Sequence, residues 1–134
     1  MSSLSKYVIL AIMICSPATA EVKKSDLLKA VKDFGQAYGV ADFCLAWAGD
    51  IIPHPSLPDK IEMAMFDANI AADDIRYFQD AYIAPYMGAI EQGKMLSTMD
   101  GGATCKVMTA EGSAKIAVKA DNDLLGLISE FSKQ

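Results

Sequence analysis

Residues 25–48 read SDLLKAVKDFGQAYGVADFCLAWA, and the spacing of their apolar side chains decides the fold class. Leu28, Val31, Phe34, Tyr38, Ala41, Leu45 and Ala48 recur at steps of three and four, which places them on one face of a helix. Val40, Cys44, Trp47 and Ile51 form a second stripe beside it, so the later half is apolar over a wider arc and belongs deeper in the molecule. Ser25 followed by Asp26 suits an N-cap with an acid in the first turn. Gly35 and Gly39 each weaken a helix by about 1 kcal/mol relative to Ala, so a kink or break is expected near Tyr38.

Downstream, Ile52-Pro53-His54-Pro55-Ser56-Leu57-Pro58 cannot be helical, because its prolines remove donors and push the residues before them into extended conformations. From Asp59 to Asp67 the pattern is ambiguous. Ile61, Met63 and Met65 alternate as in a strand, while Ile61, Met65 and Phe66 suit a helical turn; a lone strand would have no partner, so helix is preferred. Asn69 is expected to cap a further helix carrying Ile70, Asp73, Asp74, Ile75, Phe78, Ala81 and Tyr82. Pro85 should end or bend it, Tyr86, Met87, Ala89 and Ile90 continue the helical spacing to Gly93, and Gly101-Gly102 marks a break.

The last segment admits two readings. Val107, Thr109 and Glu111, a Gly112-Ser113 turn, then Ile116, Val118 and Ala120 would make a short hairpin near residues 105–120. Ala117, Ala120, Leu124, Leu127, Ile128 and Phe131 keep a helical face, with Lys115, Lys119, Asn122 and Glu130 opposite, and a helix from about Ser113 to Phe131 is the preferred reading. The expected fold is therefore all-α: an irregular small bundle of four to five helices.

Upstream of residue 21, a basic start ending at Lys6, an apolar run from Tyr7 to Cys15 and the small-x-small end Ala18-Thr-Ala20 predict a signal peptide cut after Ala20. An uncleaved anchor would need about twenty apolar residues, far more than this run supplies. Removing residues 1–20 from the 134 leaves a single domain of 114, residues 21–134. All 17 acidic residues and eleven of the 12 basic ones lie in that part, a charge of −6, so nucleic acid and anionic lipid are poor partners and no stable membrane insertion is expected. Cys15 leaves with the leader. Cys44 and Cys105 remain, an even pair in a periplasmic or secreted chain, and are expected to form one disulfide.

No catalytic set is assembled in the sequence. His54 is the single histidine, in the Pro-rich loop near Asp50, and the paired cysteines leave no thiol nucleophile. Asp73 and Asp74, with Asp67, Asp80 and Glu91, invite a hydrolase or cation-site reading, but adjacent acids on a helix diverge by about 100° and suit a solvated face better. Six methionines follow the leader: Met63, Met65, Met87, Met95, Met99 and Met108. Their thioethers suit Cu(I), although filling irregular core gaps accounts for them more simply. No metal ligand set and no cofactor are assigned. Trp47, Tyr82, Tyr86 and Met87 are the candidates for a recognition surface, since aromatics and Met are enriched in interface cores. In size and disulfide count alone the chain is similar to small periplasmic helical chaperones and to inhibitor or immunity proteins of the bacterial envelope. With no catalytic set assembled, the expectation is a non-enzymatic binding or accessory protein that acts on a protein partner in the envelope through an apolar face of its helices.

Overall fold

The computed structural model describes residues 21–134; the expected leader lies outside the described residues. Helix α1, Lys24–Ala48, runs without interruption through both glycines. Its cap is at Lys23 rather than Ser25: the Lys23 backbone N–H donates to the Asp26 carboxylate at 2.8 Å, which puts Ser25 inside the first turn. The expected break near Tyr38 is absent because Gly35 and Gly39 are packing sites. A Cβ at Gly35 would stand 2.7 Å from the Tyr82 carbonyl oxygen, and one at Gly39 would stand 2.5 Å from that of Tyr86. Two glycines four residues apart let a second helix backbone lie directly on α1, and the burial this allows outweighs their poor propensity.

That second helix comes after a short return. Past Gly49, in the left-handed region, the loop of residues 49–58 leads into α2, Asp59–Asp67, so the ambiguous segment is helical. Asn69 does not cap the next helix. It adopts a positive φ of 59° in the turn, and α3, Ala72–Met99, starts after Ala71. Pro85 neither ends nor interrupts α3. Tyr82 and Tyr86 are buried on either side of it, and packing on both flanks outweighs a local penalty of about 3 kcal/mol.

Gly101 and Gly102, both at positive φ, form the break and lead to α4, Ala103–Val107. α5, Ala110–Ser132, begins with the Thr109 hydroxyl accepting from the Gly112 N–H at 3.0 Å. The hairpin is not formed: Val107 ends one helix and Thr109 caps the next, which imitates alternation without any strand.

The pairing of contacts gives the topology. Lys24 meets Asp74 at 2.8 Å, Gly35 meets Tyr82, Gly39 meets Tyr86, and Phe43 fills the notch at Gly93, so α1 and α3 run parallel. α5 runs back along α1, from the Cys44–Cys105 disulfide at one end to the Tyr38–Asp121 hydrogen bond further along. α2 also runs back and is tied to α5 by Lys60–Asp121 and to α3 by Gln79–Glu62. The core lies in the α1–α3 seam, on Leu27, Val31, Phe34, Ile75, Phe78 and Tyr82, and is closed by Ile61 and Met65 of α2 and Leu124 and Ile128 of α5. Among the described residues, no helix is long and apolar enough to cross a membrane.

Candidate functional site

Within residues 38–48 of α1 the single charged side chain is Asp42, and Leu45 stands one turn further along the same face. These two residues form the waist between two clefts. The first, about 430 Å³, lies between α1 and the Pro-rich loop, with Ile51, Ile52 and His54 at its rim and Tyr38, Tyr82 and Tyr86 at its floor. The second, about 320 Å³, lies between α1 and the start of α5 and is lined by Ala41, Cys44, Met108, Ala114 and Ala117. Small residues at Ala110, Ser113, Ala114 and Ala117 keep the first turns of α5 from filling the space against α1. Asp42 and Leu45 line both clefts, which therefore adjoin on either side of the disulfide-bearing half of α1 and are treated together as the two lobes of a trough.

The polar groups of the trough are held from below. The Tyr86 hydroxyl donates to Asp42 Oδ2 at 2.9 Å, and Asp42 Oδ1 has no hydrogen-bond partner among the described residues. No Lys or Arg among the described residues lines either lobe. Burial raises the Asp42 carboxyl above its ordinary value of 3.8, and the Tyr86 bond pulls the other way. The Tyr86 hydroxyl itself is pushed up to about 12, first by burial and then by donation to Asp42. Tyr38 and Tyr82 are raised in the same direction, each mainly by burial, and the Tyr82 and Tyr86 rings stack at 5.2 Å. Tyr38 donates to a different carboxylate, Asp121 of α5, which also receives Lys60. Asp121 lines neither lobe. It is a buried knot joining α1, α2 and α5.

The expected recognition residues do not share one surface. Tyr82 and Tyr86 are 1% and 2% exposed, so both are core residues under the trough, because the glycines of α1 draw α3 onto it at these positions. Met87 is half-buried against the core. Trp47 is 39% exposed at the end of α1, and its ring covers Gly102, where a Cβ would come within 2.5 Å of it. Cys44 and Cys105 are joined, and the buried Ser97 hydroxyl lies 3.2 Å from Cys105 Sγ.

His54 lines the trough but makes no ion pair with Asp50 among the described residues. Asp67, Asp73, Asp80 and Glu91 are exposed, and Asp74 pairs with Lys24. Among the described residues no group of three or more His, Cys, Asp or Glu side chains is placed to hold a metal ion. Met63 is exposed while Met65 is fully buried, so their sulfurs point apart; Met95 and Met99 lie exposed one turn apart on α3.

Periodicity in the sequence does not reveal the trough's waist, although a lone acid within the apolar run from Tyr38 to Ala48 is a signal that could have marked it. No protein-family model, curated protein or solved structure matches the chain.

Proposed function

We propose that this chain is an exported, non-enzymatic binding protein of the bacterial envelope that receives an apolar segment of a protein partner in the trough across α1. The observation that carries this reading is apolar surface left open around a preformed concavity: Ile52 is 91% exposed at its rim and Leu45 40% exposed at its waist. Isolated exposed apolar residues are ordinary, but two of them bordering a concave lining of Ile51, Met108 and alanines make a receptive face. Each lobe has the volume of a side-chain or small-ligand pocket. The Cys44–Cys105 disulfide, which fixes one wall, suits an oxidising compartment.

A photo-crosslinking residue placed at Ile52 tests this. It should capture a defined partner in envelope extract, whereas the same residue at the exposed Val118 on the outer face of α5 should not. Equal capture at both positions, or a hydrolytic or redox turnover abolished by one polar substitution, would contradict it.

A further inference from the structure

We infer that the segment taken by the trough carries one basic residue, Lys or Arg, between apolar neighbours, and that its cation seats on Asp42. This rests on the binding role proposed above and adds the chemistry of the occupant. Asp42 is the one carboxylate among the described residues that lines either lobe, and it stands at the point the lobes share. Tyr86 orients it through Oδ2, leaving Oδ1 without a hydrogen-bond partner among the described residues.

A carboxylate partly removed from water and lacking a counter-charge is an unfavourable arrangement that a cation relieves, whereas a neutral donor does so only weakly. Among the described residues no Lys or Arg enters either lobe to play that part. On one side of Asp42 lie Ile51 and Ile52 and on the other Met108 and Ala114, so apolar side chains flanking the cation would each find an apolar lobe. The net charge of −5 over the whole sequence steers a basic segment toward the molecule and an acidic one away.

The test titrates three capped peptides, identical except for a central Leu-Lys-Leu, Leu-Gln-Leu or Leu-Glu-Leu, into the oxidised, isotope-labelled chain and follows backbone amide resonances. The Lys peptide should shift Asp42, Leu45 and Ile52, with the Gln peptide roughly ten-fold weaker and the Glu peptide weaker still. Asp42→Asn, which keeps an acceptor for the Tyr86 hydroxyl, should bring the Lys peptide down to the Gln level. Because the peptide series is read on the unaltered chain, the outcome does not depend on how that variant folds.

Equal affinity for all three peptides with the same residues shifting would leave the trough as a binding site and overturn the cation. No shift in the trough with any peptide would overturn both readings. Concentration-dependent shifts of the trough without peptide would identify a second copy of the chain as the occupant and overturn the basic partner.

Discussion

Gly39 is a contact and Gly88 an opening, and the two should respond oppositely to the same methyl group. At Gly39 an added Cβ would stand 2.5 Å from the Tyr86 carbonyl oxygen and 2.6 Å from the Ala89 Cβ, both parts of a packed helix that can yield only by moving away. Gly88, inside α3, has nothing within 4 Å of its Cβ position. Gly39→Ala should therefore destabilise the chain by about 1–3 kcal/mol through overpacking of the seam. Gly88→Ala should stabilise it by about 0.5–1 kcal/mol, by restricting the unfolded chain and improving helix propensity. Urea unfolding of the two variants gives the comparison directly; a loss at Gly88 equal to that at Gly39 would show that the α1–α3 approach is not what the glycines serve. The same residues show how far local reading carries. Propensity alone makes Gly35 and Gly39 a break, and nothing in α1 itself announces that Tyr82 and Tyr86, more than forty residues away, need the space.

The seam between α1 and α3 joins three tyrosines whose hydroxyls are all raised in the folded chain, Tyr86 to about 12 and Tyr38 and Tyr82 in the same direction. A tyrosine with a raised folded value holds its proton more tightly in the native state than in the unfolded one, where the ordinary value is 10.0. The stability from this difference is complete below pH 10 and is lost as the pH rises through the folded values, so the Tyr86 share disappears between pH 10 and about 12. Alkaline titration should accordingly show tyrosinate absorbance from these hydroxyls rising together with loss of far-ultraviolet helical ellipticity. Full ionisation with the ellipticity intact would mean the hydroxyls are not confined by the seam. The helical periodicity of both elements was legible in the sequence, since Val31, Phe34 and Ala41 on one and Ile75, Phe78 and Tyr82 on the other are buried as their spacing requires, but the later half of α1, expected to lie deeper, instead leaves Leu45 and Trp47 40% and 39% exposed. The helix ends were not legible. Ser25 and Asn69 have good capping side chains, but the Asp26 carboxylate closes the start of α1 from inside the helix and Asn69 is used for a left-handed turn. The trough was not legible for a related reason: it arises from the offset between α1, the Pro-rich loop and α5, a tertiary property with no local periodicity.

At the scale of the whole molecule, the disulfide holds what the core does not reach. The five residues of α4 include none that is fully buried, and α4 is reached through two glycines at positive φ, so Cys105 is its main attachment to α1. The bridge spans a sequence separation of 61, for which chain entropy gives about 4 kcal/mol, a large fraction of the stability of a domain this size. Reduction should lower the urea midpoint by an amount corresponding to about that value and, before global unfolding, expose residues 101–109 to proteolysis, while the α1–α3 seam keeps most of the helical signal. The trough must respond as well, because Cys44 and Met108 form a wall of its second lobe. Reducing the bridge under conditions where the chain remains folded should therefore weaken peptide binding at Asp42, although neither cysteine touches the carboxylate's hydrogen bond to Tyr86. Unchanged affinity in the reduced, folded chain would mean that the lobe between α1 and α5 is held by helix packing alone and that the disulfide serves stability without shaping the site.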